Sequence, residues 1–102
     1  MIKALANGLL QIDQLALYIV PVNASTKVTN IIMVNAHSSA ITVNLYVNTT
    51  GTSRPLTPVD LSIAAYARAV IDDMIMLESN DSLEGYASTA DKVSYIINGY
   101  EE

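Results

Sequence analysis

Hydrophobic and polar positions alternate most clearly between Val28 and Val47. Ile41, Val43, Leu45 and Val47 fall on one side of a two-residue period, and Thr42, Asn44 and Tyr46 on the other. That period marks a strand with one face buried and one face wet. Val28 to Asn35 is instead apolar on both faces, the pattern of a strand covered on both sides. Ala36 to Ala40 between them has the length that joins antiparallel neighbours, so the two segments are expected to form a hairpin at the centre of a β-sandwich.

The rest of the chain reads as short strands between turns. Residues 1–12 are expected to form an N-terminal arm or edge segment, and 13–102 a single sandwich domain. Gln14 to Val22 is rich in β-formers and closes at Pro21, which suits the end of an edge strand. Asn23 to Thr26 reads as a turn. Asn48 to Pro58, with Gly51 and two prolines, is the longest polar loop and is expected to cross from one sheet to the other. Asp60 to Ile63 is read as a short strand, and Ala64 to Ile71 as strand plus turn despite its alanines. Met74 to Leu77 is an apolar run placed in the core.

Glu78 to Ser82 is a turn. Leu83 to Ser88 is a strand in which Gly85 implies a bulge or a close backbone approach. Thr89 to Asp91 turns again, and Val93 to Gly99 is the last strand, before an exposed acidic end at Tyr100 to Glu102. The count is seven to nine short strands with turn signals every eight to twelve residues. The fold class is all-β: a small antiparallel sandwich, jelly-roll-like.

Composition sharpens this picture in two places. Just over half of the 102 residues are hydrophobic and the mean hydropathy is +0.33, high for a domain that leaves much of its surface in water. Some of that apolar surface is expected to be covered by a partner. The net charge of −5, with Lys3, Lys27, Arg54, Arg68 and Lys92 scattered singly, argues against a nucleic-acid partner. No apolar run approaches the roughly 18 residues of a membrane span, and the N-terminus has no signal-type apolar region. The chain is therefore expected to be made in a cytoplasm and not anchored. It has no cysteine, hence no disulfide framework and no thiolate metal site.

Candidate chemistry is sparse. His37 is the single histidine and stands beside Ser38 and Ser39 without a nucleophile-elbow signature. Asp72, Asp73, Glu78, Asp81 and Glu84 lack calcium-loop spacing and read as turn and solubilising residues. Asn23, Asn48 and Asn80 each open a glycosylation triplet, which agrees with exposed turns. All six aromatic residues are tyrosines, suited to strand packing, to an interface or to a sugar platform. No catalytic residue, metal or cofactor is expected, and the protein is not read as an enzyme.

Several segments carry a resemblance. They are Leu5 to Gly8, Leu17 to Pro21, Ile31 to Asn35, Val43 to Tyr46, Ser53 to Ser62, Ser82 to Ser88 and Ile97 to Glu102. Together they are similar to a family of small tailed-phage and prophage virion proteins. The resemblance implies a structural β-sandwich of the particle, most simply a capsid decoration (cement) protein located on the head surface. It would stabilise the shell by self-associating, with a trimer favoured, and by clamping the major capsid protein or another virion protein. The alternatives are a neck, tail or fibre accessory protein, or a module that binds host-surface glycan. The expected interface comprises Met1, Ile2, Leu5, Leu9 and Leu10 of the arm, Arg54 and Pro55 of the long loop, and Tyr18, Tyr46, Tyr66, Tyr86 and Tyr100.

Overall fold

A computed structural model describes residues 2–102; Met1, one of the expected interface residues, lies outside the described residues. Ten strands follow one another: β1 (Lys3–Leu9), β2 (Leu15–Ile19), β3 (Thr26–Asn35), β4 (Ile41–Thr49), β5 (Thr52–Pro55), β6 (Leu61–Ile63), β7 (Arg68–Ile71), β8 (Ile75–Leu77), β9 (Ser82–Ala87) and β10 (Val93–Glu101). They form two antiparallel five-stranded sheets. Sheet A has the order β1-β10-β3-β7, with β8 pairing the other half of β3; sheet B has the order β2-β9-β4-β5, with β6 also on β4. Counting β5 with β6 and β7 with β8, each sheet is four ribbons wide. The chain then visits the sheets in the order A, B, A, B, B, A, B, A, which is the connectivity of a jelly roll. The count exceeds the expected seven to nine because two ribbons are each broken in two.

Two connections differ from the sequence reading, and they exchange roles. β3 and β4 do not form a hairpin; they lie in opposite sheets, and residues 36–40 cross between them. The expected crossing at Asn48 to Pro58 instead stays on sheet B. There β5 pairs with β4, and Leu56 donates its N–H to the Leu45 carbonyl. The Leu45 N–H in turn donates to the Thr57 hydroxyl. A five-residue loop spans a hairpin or a sheet-to-sheet corner equally well. The choice falls to long-range pairing, because β3 is already flanked by β10 and by β7 with β8.

The corner is fastened by Asn35, which is fully buried. Its side-chain nitrogen lies 3.0, 3.0 and 3.2 Å from the carbonyl oxygens of Ser39, Ile63 and Ala64, to which it donates. Its side-chain oxygen accepts the His37 N–H at 2.8 Å, and its own backbone N–H donates to the Ala67 carbonyl. One amide therefore ties the β3–β4 crossing to the β6–β7 crossing.

The core lies between the sheets and alternates as strands require: Ile31, Met33 and Asn35 on β3, Ile41, Val43 and Leu45 on β4, and Val93, Tyr95 and Ile97 on β10. A bulge at Thr29 shifts the phase of β3, so Thr26 and Val28 also face inward; the Thr29 hydroxyl donates to the Asn98 carbonyl. Gly85 is a close approach and not a bulge, since β4 and β9 stay in register across it and an added Cβ would press on Leu45 and Leu17. The run Met74 to Leu77 is only partly core: Leu77 is buried, whereas Met74 and Met76 are exposed. β8 is a sheet-edge piece, so alternate residues face out.

Candidate interaction surface

The outer face of sheet A is assembled by strand register. Asn7, Ile96, Ile32 and Val70 form one row across β1, β10, β3 and β7, and Leu9, Ser94, Val34 and Arg68 form the next. Leu9, Ile96, Val34 and Val70 are between 38% and 49% exposed, and Ile32 is half-buried among them. On one side the aliphatic patch is bounded by Asn98 and Asn30, which share a 2.8 Å hydrogen bond. Beyond that pair lie Lys27 and Met76, with the Lys27 ammonium 5.8 Å from the centre of the Tyr100 ring. The charged side chains in these rows, Arg68 and Lys27, are both cationic in a chain of net charge −5. β3 is thus apolar on both faces, as its sequence shows, but nothing in the described chain lies over its outer face.

The outer face of sheet B is different in kind. Tyr46 and Tyr86 stack with ring centres 6.2 Å apart and planes at 17°. The neighbouring Tyr86 phenol, then partial loss of solvent, push the Tyr46 phenol above its ordinary pKa. Beside them Glu84 gathers donors from the neighbouring strands: the Ser53 hydroxyl at 2.6 Å, the Gln14 amide at 3.0 Å and the Asn48 amide at 3.4 Å. These donors, Ser53 foremost, hold the Glu84 carboxyl below its ordinary value of 4.5. A carboxyl with a lowered folded-state pKa adds stability above its unfolded value and loses it as pH falls through the folded value. Thermal melts of the wild type and Glu84→Gln are accordingly expected to differ at pH 7 and to converge as pH is taken from 4.5 downward. A gap that stays constant to pH 2.5 would exclude an ionic origin.

A third polar cluster clasps the two sheets. Tyr18 of β2 donates its hydroxyl to Glu101 of β10 at 2.5 Å, and the same oxygen lies 2.8 Å from the Thr26 hydroxyl of β3. Burial, then the bond to the Glu101 carboxylate, raise the Tyr18 pKa. With the tyrosine proton committed to Glu101, Thr26 is the donor in the second bond. The acidic end is therefore not loose: β10 runs to Glu101, and Glu102 exchanges two backbone bonds with Ser25.

The structure sorts the residues expected at an interface. Leu10 and Tyr18 are removed from it, because both are core residues at 0% and 9% exposure. Leu5 packs half-buried against the core. The N-terminal segment is an edge strand and not a free arm, with β1 paired along β10. Ile2, Leu9, Arg54 and Pro55 are exposed, and Tyr66 is 72% exposed in a left-handed turn (φ 58°). Tyr46 and Tyr86 are brought together, whereas Tyr100 belongs to the Lys27 corner of sheet A. Ile32, Val34, Val70 and Ile96 were missed. For Ile32 and Val34 the signal is the two-sided apolar pattern of β3; Val70 and Ile96 join them only through strand register. His37 serves its loop, its Nδ1 accepting the Ser39 N–H. Among the described residues no group of three or more His, Asp or Glu side chains is placed to hold a metal ion.

Fold and surface together define a small jelly-roll β-sandwich with one uncovered apolar sheet face. The chain matches no protein-family model and no curated protein.

Proposed function

We propose that the protein is a non-enzymatic structural protein of a phage particle: a capsid decoration protein that self-associates and stabilises the head shell. The observation that carries this is the outer face of sheet A. A strand that is apolar on both sides gains its full burial only when both sides are covered, at about 25 cal/mol per Å² of apolar surface removed from water. The patch of Leu9, Ile32, Val34, Val70 and Ile96 supports a second protein as that cover. The resemblance of the strand and turn segments to phage virion proteins supports a particle as its source, and the cationic residues beside the patch support an acidic partner surface.

The test is co-sedimentation with DNA-free capsids and, separately, with isolated tails. Saturable binding to capsids, at a fixed number of copies per major capsid subunit, is expected. A Val70→Lys variant, exposed in the free protein, should fold normally and lose that binding at least tenfold. Binding to tails alone would overturn the head location and select a neck, tail or fibre role. The Tyr46–Tyr86 stack beside Glu84 favours a second reading, a host-surface glycan module. Saturable binding to cell-surface polysaccharide that is lost in Tyr86→Ala, with no binding to capsids, would select it.

A further inference from the structure

The outer edges of the two sheets are not alike. On sheet A, β1 carries Lys3 and a bulge at Leu5, and β7 and β8 are four and three residues long, separated by Asp72 and Asp73. On sheet B, β5 carries Arg54 and Pro55, and β6 has three residues. Charge, proline, bulges and shortness all discourage a free edge from pairing with another chain. β2 is short and has a bulge at Leu17, but it alone carries neither charge nor proline and is not broken in two. Leu15 to Val20 is six successive apolar residues without charge or proline, paired on one side only, with β9. Leu15 and Ile19 are 51% and 60% exposed, on either side of a bulge at Leu17. The Val20 N–H donates to the Asp81 carbonyl, and the Val20 carbonyl accepts from Asn80. By strand alternation the N–H and C=O of Ile19 turn toward the free edge.

Charge indicates what covers that edge. Between residues 2 and 22 the charged side chains are Lys3 and Asp13, which cancel, so the whole net charge of −5 resides in residues 23–102. Two copies of this acidic chain repel over most of their surfaces and approach best across a segment of low charge. Leu15 to Val22 carries no charged side chain, and the carboxylates beside it, Glu84 and Glu101, accept hydrogen bonds from Gln14 and Tyr18. Ile12 and Val22, which bracket β2 in the chain, are 61% and 70% exposed and extend the apolar character of the segment.

We infer that the free edge of β2 is the self-association surface, where β2 of one copy pairs antiparallel with β2 of a second about a two-fold axis. An edge strand complements an identical strand under that symmetry, and the two B sheets then run on as one. The inference rests on the self-association part of the proposed function and makes the oligomer a dimer in place of the expected trimer. It leaves the outer face of sheet A free on both copies.

The test is the mass in solution across a dilution series for the wild type, Ile19→Lys and, as a control, Val59→Lys at a position 78% exposed between β5 and β6. The wild type and the control should run at twice the 11.0 kDa chain mass and dissociate on dilution. Ile19→Lys should be monomeric, with the melting curve of the diluted, dissociated wild type. Hydrogen exchange at the wild-type Ile19 amide, slowed at least tenfold in the concentrated sample and fast in the dilute one, gives a readout that needs no variant. A wild type that is monomeric throughout, a trimer, an Ile19→Lys that keeps the double mass, or an Ile19 amide whose exchange ignores concentration would each overturn the inference. A dimer that does not bind capsids overturns the particle role and leaves this inference standing; a monomer that binds them does the reverse.

Discussion

Asn35→Ala is expected to lower the stability of the fold by about 3 kcal/mol, because a buried donor or acceptor left without its partner costs about 1–3 kcal/mol each. The side-chain amide of Asn35 is the shared partner of the His37 N–H and of the carbonyls of Ser39, Ile63 and Ala64. Alanine removes all of these at once and leaves a cavity at the corner where the chain passes twice between the sheets. For a domain of about 100 residues that loss corresponds to a fall in Tm of roughly 15 °C. Asn35→Asp separates the contributions. It keeps an acceptor for His37 but turns a carboxylate toward three carbonyl oxygens. Its folded-state pKa is then raised, so it is most destabilising at neutral pH and recovers as pH falls below that raised value. Melting curves followed by circular dichroism at pH 7 and pH 4 test both variants. An Asn35→Ala protein melting within 3 °C of the wild type would show that the corner is held by strand pairing alone.

Asn35 also shows where the sequence stops being readable. The strands themselves were legible, because alternation is local: Ile41 to Val47 and Val93 to Gly99 stand where the two-residue period puts them. The turns at Asn23, Asn80 and Asp91 were legible too, and each holds a residue in the left-handed region that Asn and Asp tolerate. Which strands pair was not legible. A five-residue loop states a distance, not a destination, and Asn35 ends an apolar run in a way that suits a hairpin or a corner. The decision lies in contacts with residues 63 to 67, about thirty positions away, which no local period encodes.

The candidate surface was half legible for a related reason. The two-sided apolar character of Ile31 to Val34 was visible, but periodicity does not distinguish a face covered by the chain itself from one left for a partner. Composition had already placed more apolar residues in the chain than a sandwich of this size encloses. Sheet register supplies what was missing. It sets Ile96 and Val70, from segments about sixty and forty residues away, on either side of Ile32. The tyrosines misled in the opposite direction, since aromatic content alone does not separate Tyr18 in the core from Tyr66 on a turn.

Gly99→Ala is expected to cost about 3 kcal/mol, at the upper end of the usual 1–3 kcal/mol for overpacking, and Gly99→Val to prevent folding. A Cβ at Gly99 would collide with the Lys27 carbonyl oxygen, and it would lie 3.0 Å from the Lys27 carbonyl carbon and from the tip of Leu5. The first two are backbone atoms of β3 and cannot swing aside. They stand there because β3 gains Thr29 as an extra residue opposite the Asn98–Gly99 step. Relief would require β3 and β10 to re-register, which would turn Thr26 and Val28 out of the core and break the Tyr18–Thr26–Glu101 clasp. Gly85→Ala is the comparison that isolates this cause. Its nearest obstacle is a Leu45 methyl at 2.5 Å, the end of a flexible side chain, with the Asn44 carbonyl oxygen 3.1 Å away, so it should lose about half as much. Denaturant midpoints for the two alanine variants decide the matter. If Gly85→Ala is the more damaging, the bulge yields more easily than the core beneath sheet B, and the phase shift of β3 is not what fixes this end of the sandwich.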